Sequence, residues 1–483
     1  MTDQLIVRRR IGDIETPVGA MLKLGPDAPG SFLFESIVGG ERLGRFSFIG
    51  LMPRVWFRIQ DGVAETGTSN AFTDATLLNS DPIEGLRAFA ARARADAEVD
   101  LPPMASGAFG YVGYDCISHV EPVNIESEKH LEVPDALLVI PEVVIVFDHL
   151  YQELLLVARA FDGDVSTAEA RLDDVEQRLA APPPLTPSRS VHSDGNADAL
   201  ADIPDFQSNT AFDRYLEMVE IARDYIKAGD IFQVVPSQRF SAPFNRKSIS
   251  LYRALRRLNP SAFMFHMSFG DLRLVGSSPE ILVRVRDGRV AIRPIAGTRP
   301  RSGDPAEDAR RADDLLNDQK EMAEHLMLLD LGRNDVGRVA AYGSVKVTES
   351  FVIERYSHVM HIVSHVEGDL REGLDAVDAL FAGFPAGTVS GAPKIRAMQI
   401  IDELETSRRG IYGGAIGYFG WQGDLDTCIA LRTAVITGKH LHIQAGGGVV
   451  LDSDPKYEFE ETVHKANALK RAAGLAASYE FDQ

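Results

Sequence analysis

Cysteine is almost absent from this chain: Cys116 and Cys428 are the only two among its 483 residues. Two thiols so far apart in sequence support neither a disulfide framework nor a cysteine-ligated metal, and they suit a reducing compartment. Long apolar runs are missing too. No segment approaches the ~18 apolar residues of a membrane span, and the opening MTDQLIVRRRIGDIETP lacks the apolar core of a secretory leader, so a cytoplasmic protein without a membrane partner is expected. Positive charge is in deficit: 50 Lys and Arg against 70 Asp and Glu leave a formal charge of −20. With no basic cluster to offset that charge, nucleic acid and anionic membranes are excluded as main partners. The Walker A spacing G-x-x-x-x-G-K is absent as well.

What remains is an ordinary folded composition, 45% hydrophobic and 25% charged, in a chain too long for one core of usual size. Residues 1–180 alternate short strand-like runs with turns and end in the hairpin pair EVVIVFDHL and ELLLVARAF, followed by a helix over Ser166–Ala180. Residues 181–204, APPPLTPSRSVHSDGNADALADIP, have too little apolar content to pack and read as a linker between that domain and a second, 205–483. The second domain opens with an amphipathic helix, Phe212–Ala228, with Tyr215, Val219, Ala222 and Ile226 on one face and Gly229 as its stop.

Two stretches carry paired acids at helical spacing. In QKEMAEHLMLLDLGRND, Met322, Leu326 and Leu329 form the expected buried stripe, with Glu321 and Glu324 one turn apart on an adjacent face. In DSDPKYEFEETVHKANALKRAAG, Asp454 reads as N-cap and Pro455 as the first helical residue, Glu458 and Glu461 are three apart, and Phe459, Val463 and Ala466 face the core. If the helices face each other, four carboxylates converge and need a cation, and all-oxygen ligands point to magnesium rather than zinc. The alternative is two solvated faces carrying pairs such as Glu461 with Lys465.

Other features are local. Asp287-Gly288 marks a hairpin in EILVRVRDGRVAIRPIAGT, whose register, run back from Arg286 opposite Arg289, sets Glu280 opposite Ile295, beside Ala296, Gly297 and Thr298. Gln233 is a polar residue in the apolar strand IFQVV, hence a core hydrogen-bonder or a site residue. FPAGTVSGAPKIRAMQIIDELE reads as a glycine-rich loop that brings Ser390 to a helix N-terminus, where free N–H groups could receive a carboxylate; a capped helix is the alternative. GAFGYVG (107–113) and GAIGYFG (414–420) share a pattern that either chance or duplication of a sheet-forming unit produces.

The motifs SFLFESIVGGERLGRFSFIG, NPSAFMF, RPIAGTRPR, KEMAEHLMLLDLGRNDVGRV, VMHIVSHVEG, FPAGTVSGAPKIRAM, RRGIYGGAIGY, DTCIALRT and AGGGVVLDSDPKYEFEET, in this order over nearly the whole chain, resemble the chorismate-utilising enzymes. The resemblance implies an α+β fold in which two halves pack antiparallel sheets together with helices outside. It implies Mg2+ held chiefly by Glu324 and Glu461, with Glu321 and Glu458 in the same cluster, and substrate contacts from Gly297, Thr298, Tyr412, Arg432, Gly446, Gly447, Gly448 and Lys465, with Thr388 beside them. Glu280 matches the family's general acid and His361 the position linked to pyruvate elimination; His358 and His365 flank it and read as structural.

Two positions discriminate within the family. Ala296 stands where aminodeoxychorismate synthases typically have a nucleophilic lysine, and Gln233 where isochorismate and salicylate synthases have a lysine that activates water. The branch so implied adds ammonia to chorismate and eliminates pyruvate to give anthranilate, the first committed step toward tryptophan. No glutaminase signature is visible, so a separate glutamine amidotransferase subunit is the implied ammonia source. A tryptophan inhibitor site is implied at Glu35, Ser36, Ala262, Phe263 and Met264; Phe34, Ala262 and Phe263 depart from the family's usual residues there, which bears on the strength of inhibition. The competing readings are the aminodeoxychorismate synthase large subunit, disfavoured by Ala296, and a silent amino-acid sensor, which would have lost Glu280, Glu324 or Glu461.

Overall fold

The computed structural model describes residues 3–38, 42–182, 184, 202–356 and 359–480. Most of the expected linker and His358 lie outside the described residues. Among those described, no helix is long and apolar enough to cross a membrane.

Antiparallel strands form two faces joined by two long strands, Arg42–Gln60 and Ala136–Asp148, which pair with each other almost throughout. Their outer halves belong to a first sheet, ordered Gln4–Ile11, Glu153–Ala160, Ala136–Asp148, Arg42–Gln60, Phe32–Val38, Phe263–Ser268, Leu272–Ser278, Thr433–Thr437, His440–Gly446, Ser237–Pro243. Their other halves continue into a second, through Gly107–Val112, Ala415–Gly420, Leu425–Ile429, Ile281–Arg286, Arg289–Ile292 and Val359–Asp369. Strands from both sides of 181–204 therefore share each sheet. On Ala136–Asp148 the pleat divides the side chains: Leu137, Val139, Val144 and Val146 face the space between the sheets, while Val143, Ile145 and Phe147 face a helix layer. The intersheet core is aromatic, with Phe32 stacked on Phe109 at 4.5 Å and Phe34 on Phe48 at 5.0 Å. Helices cover both outer faces, so the architecture is α+β with packed antiparallel sheets and helices outside.

The echoed motifs meet. Gly107–Val112 pairs with Ala415–Gly420, setting Gly110 against Gly417, and Phe32–Val38 pairs with Phe263–Ser268 in the other sheet. Counterpart strands touching at the centre of each sheet are what a two-fold relation between the halves requires. Among the described residues, the elements within 295–356 and 384–412 have no counterpart in the element order of the first half, and they carry much of the site described below.

Local chemistry sets the helix ends. Phe212–Ala228 stops at Gly229 with φ 84° and Asp454 with Pro455 opens Pro455–Leu475, while the helix expected over Ser166–Ala180 runs Val165–Leu179 with Asp164, not foreseen, as its cap. Buried faces differ from the sequence reading. Leu326 is 50% exposed, and the Gln319–Val339 helix instead buries His325, Leu328, Leu329, Gly332, Asp335, Val336 and Val339. Apolar residues lie on more than one of its faces, and Leu329, Val336 and Val339 pack with Val366, Val377 and Leu380, which selects the stripe. In the Pro455–Leu475 helix the stripe begins at Glu458 and Thr462 and continues through Ala466 and Leu469, leaving Phe459 and Val463 partly buried.

The Asp287-Gly288 hairpin has the expected register, Arg286 opposite Arg289, but only as far as Arg284 opposite Ala291. Pro294 brings no N–H to the ladder, and the chain leaves at that point, so Ile295–Pro300 pairs with Val359–Asp369 and Glu280 is not opposite Ile295.

Close backbone approach at the central pair gives a stability test. A Cβ at Gly110 would lie 2.0 Å from the Leu137 carbonyl oxygen, whereas at Gly337, within the Gln319–Val339 helix, it would meet nothing within 4 Å. Gly110→Ala is expected to cost more than about 3 kcal/mol or prevent folding, and Gly337→Ala to stabilise by about 0.5–1 kcal/mol, as read by urea denaturation.

Candidate active site

The chain crosses between the sheets at Pro279–Glu280, from Leu272–Ser278 to Ile281–Arg286, and again at Ala430–Arg432, from Leu425–Ile429 to Thr433–Thr437. Backbone bonds lock the crossings together: Ser277 N–H donates to the Arg432 carbonyl at 3.1 Å and Ile429 N–H to that of Glu280 at 3.1 Å. Arg432 takes a left-handed φ of 47°, a strained conformation for a side-chain-bearing residue. Glu280 and Arg432 thus enter one cavity of about 430 Å³, which Gln233, Gly297, Thr298, Glu321, Glu324, His361, Thr388, Tyr412, Gly446, Gly448, Glu458, Glu461 and Lys465 also line. Gly447 lies just behind the wall, where a Cβ would come within 3.0 Å of Glu458 Oε2.

Glu280 is buried, and burial pushes its carboxyl up to about 8, against the opposing pull of the Thr388 hydrogen bond and the Arg432 charge. Thr388 Oγ1 donates to Glu280 Oε2 at 3.2 Å. The turn bearing Thr388 is anchored from both sides, by Gly387 packed under Leu331 and by the buried Lys394 Nζ to Asp335 Oδ2 pair at 2.9 Å. His361 Nδ1 lies 2.8 Å from the Gly297 carbonyl oxygen, an obligate acceptor, so Nδ1 carries the hydrogen and Nε2 the lone pair. Burial holds this imidazole below its usual pKa, hence neutral near pH 7, and Thr298 Oγ1 sits 3.1 Å from the same Nδ1. Tyr412 takes the Gly446 N–H, and burial pushes its phenol up to about 12.

The acids each have different company. Lys465 Nζ reaches Glu461 Oε1 at 2.8 Å and the Gly446 carbonyl at 2.9 Å, so the i,i+4 pair allowed for in the sequence exists, within the cavity wall. Glu321 pairs with Arg299 at 3.3 Å. Glu324 accepts from Gln233 Nε2 at 3.4 Å, and burial with the nearby Glu321 charge raises its pKa. Glu458 is pushed up to about 7 by burial and Glu461, and its Oε2 is buried without a hydrogen-bond partner. Among the described residues no three His, Cys, Asp or Glu close into a metal cage. Magnesium keeps several waters and takes one or two carboxylates, so an orphaned carboxylate oxygen among acids that raise one another's pKa fits such an ion.

In the glycine-rich loop Ser390 stops short of the helix Lys394–Leu404, whose N-cap Pro393 makes no side-chain bond. Gly391–Ala392 pairs with Gln233–Val234, Ser390 Oγ donates to the Ala386 carbonyl, and the Ser390 carbonyl accepts from Val235 N–H. Its role is to hold Gln233, whose Oε1 remains buried and unpartnered.

A second cavity of about 300 Å³ is lined by Phe34, Glu35, Ser36, Ala262 and Phe263. Met264 does not line it: paired opposite Glu35, it faces the helix-side core. The Glu35 carboxylate turns the same way, bonded to Tyr252 Oη–H and to Arg256 Nε at 2.8 Å. Pro279 and Ile295 line both cavities, so one layer of side chains separates them. Sequence reading missed Lys320 and Gln444, which line the first cavity, and Tyr356, which lines the second and sets its ring edge on His361 at 5.5 Å. For Lys320 the signal was its place one turn before Glu324.

A cavity that joins a buried carboxyl pushed up to about 8, an imidazole with a free Nε2 lone pair and a cluster of acids has the make-up of an acid–base enzyme's site. The model of the chorismate binding enzymes matches residues 45–471, and the chain belongs to that family. It is 50% identical to anthranilate synthase component 1 of Cereibacter sphaeroides, over 98% of this chain and 94% of that one. It also matches the crystal structure of anthranilate synthase component I from Streptococcus pneumoniae, with TM-score 0.79 and 37% identity over 95% of this chain and 98% of that chain. The menaquinone-specific isochorismate synthase of Escherichia coli, 20% identical with TM-score 0.73 over 98% of this chain and 95% of that chain, shares the fold.

Glu280 offers a pH test. Its folded-state pKa of about 8 lies above the ordinary 4.5, so the native state holds a proton that the unfolded chain releases. The resulting stability is fully present below pH 4.5 and lost as pH rises through 8. Glu280→Gln, which cannot ionise, is expected to flatten that decline in urea denaturation at pH 5, 7 and 9; an unchanged slope would refute the assignment.

Proposed function

We propose that the chain is the large subunit of an anthranilate synthase, converting chorismate and ammonia to anthranilate and pyruvate with Mg2+. The observation that carries this reading is the buried Glu280, its carboxyl pushed up to about 8, in one cavity with Arg432 and the acid-bearing helices. In the first step ammonia bonds to ring C2 while the C4 hydroxyl leaves as water, taking the proton that Glu280 supplies. In the second, C2 loses its proton, the bond from C3 to the ether oxygen breaks, and the side chain departs as pyruvate once its methylene carbon is protonated. His361, with its Nε2 lone pair, is the base for the C2 proton. Arg432 can form a two-pronged pair with a substrate carboxylate, and the Gly446–Gly448 backbone can approach one closely. Magnesium, held chiefly by Glu324 and Glu461 in a cluster that also contains Glu321 and Glu458, would neutralise substrate carboxylate charge among these acids.

Gln233 sets the nucleophile. Its amide has no useful basicity, so water is not activated, whereas ammonia needs no base and can donate to the unpartnered Oε1. Ala296 lines the cavity with a methyl group and offers no nucleophile of the aminodeoxychorismate kind. Ammonia comes from glutamine through a separate amidotransferase subunit, tryptophan occupies the second cavity as feedback inhibitor, and the enzyme works in the cytoplasm at the first committed step toward tryptophan.

Purified chain mixed with chorismate, Mg2+ and ammonium salt is expected to develop anthranilate fluorescence. The rate should rise with pH as ammonium deprotonates and turn over as Glu280 ionises near pH 8. Glu280→Gln should lower kcat by about 10²–10⁴-fold, and Glu324→Gln or Glu461→Gln should abolish turnover in a folded protein. Glutamine should serve only with the partner present; fast isochorismate formation, or glutamine use by the chain alone, would overturn the reading. Tryptophan should bind more weakly when chorismate is present, and equal affinities would remove the coupling.

A further inference from the structure

Arg299 directly follows Thr298 on the strand Ile295–Pro300, and its guanidinium serves three carboxylates on two helices. Nε meets Asp314 Oδ2 at 2.8 Å on Pro305–Asn317, Nη2 meets Asp318 Oδ2 at 2.7 Å, and Nη1 meets Glu321 Oε1 at 3.3 Å. Asp318 is itself the cap of the Gln319–Val339 helix, accepting from Lys320 and Glu321 N–H. One side chain therefore sets the spacing between Gly297–Thr298 and the helix turn that leads to Glu324. It also commits one oxygen of Glu321, while Oε2 stays at the cavity, 3.2 Å from where a Gly297 Cβ would lie.

We propose that Arg299 is a positioning residue that withholds Glu321 from the cation and offsets its charge, so that a dianionic substrate can enter a cavity otherwise too acidic. This rests on the proposed function, with Mg2+ and chorismate as the two ligands. The ion pairs make the expected effects opposite in sign. Loss of the guanidinium frees Glu321 and adds net negative charge to the cavity, which strengthens cation binding and weakens dianion binding. A merely structural role would weaken both.

The test measures Mg2+ binding by calorimetry without substrate, and KM and kcat for chorismate with ammonium at saturating Mg2+. Arg299→Met is expected to tighten Mg2+ and raise KM, each by about tenfold, the scale of one charge in a partly buried ionic cluster, with kcat changed less. Adding Glu321→Gln to that variant should return Mg2+ affinity to within about twofold of wild type, because the two groups are coupled. Weaker or unchanged Mg2+ binding in Arg299→Met, or no return in the double variant, would overturn the proposal. Should Arg299→Met fail to fold, Glu321→Gln alone still decides: it must lose less Mg2+ affinity than Glu324→Gln, and an equal loss sinks the idea. A wild-type chain that neither binds Mg2+ nor forms anthranilate would instead bring down the proposed function, and this inference with it.

Discussion

Carboxylates crowded into a cavity of low dielectric, with fewer cations than anions around them, set the terms for the rest of this molecule. Among the described residues Glu280, Glu321, Glu324, Glu458 and Glu461 face Lys320, Arg432 and Lys465. Burial makes each unpaired negative charge costly, so the acids resolve the conflict in different ways. Burial pushes Glu280 up to about 8. Glu458 shifts toward neutrality, Glu461 takes Lys465, Glu321 takes Arg299, and Glu324 accepts from the Gln233 amide with Lys320 and Lys465 charges nearby. The same environment that makes these groups expensive to bury raises one of them to about 8 and leaves others short of positive charge.

The fold supplies this crowding through its crossings. A carboxylate and a guanidinium reach one cavity because the chain passes between two sheets at Pro279–Glu280 and at Ala430–Arg432, with backbone bonds fixing both passages. In the first half the corresponding passages, on the long paired strands, bring Pro53 opposite Pro141, and their charged neighbours go elsewhere: Arg54 is exposed and Glu142 accepts from Arg171 at 2.6 Å. The two halves thus share an order of strands but not chemistry. The difference lies in segments present only in the second half, which add the acid-bearing Gln319–Val339 helix, the Gly297–Thr298 strand and the turn that holds Thr388 against Glu280.

The two cavities meet along a wall made by sequence and contact neighbours of residues that line the first. Pro279 precedes Glu280, Ile295 precedes Ala296, and Tyr356 rests its ring edge on His361. A ligand in the second cavity that favoured one placement of these side chains over another would bias the first without touching it, since coupling needs only a difference in affinity between two arrangements.

Much of this was legible in the chain because its causes are short-ranged. Asp454 and Pro455 open a helix, Gly229 ends one and Asp287-Gly288 turns a hairpin whatever lies beyond, since each acts through its own backbone and a few neighbours. The long run of motifs likewise pointed to the chorismate-binding family and to the residues now found around one cavity. Which face of the Gln319–Val339 helix is buried, where the hairpin ladder ends, and that Met264 and the Glu35 carboxylate turn away from the second cavity were decided only in three dimensions. So were the upward shift of Glu280, the tautomer of His361 and the three-way hold of Arg299. Burial, pairing and protonation depend on groups tens to hundreds of residues away, such as Thr388 for Glu280 and Gly297 for His361, and periodicity along one segment carries no information about what will pack against it.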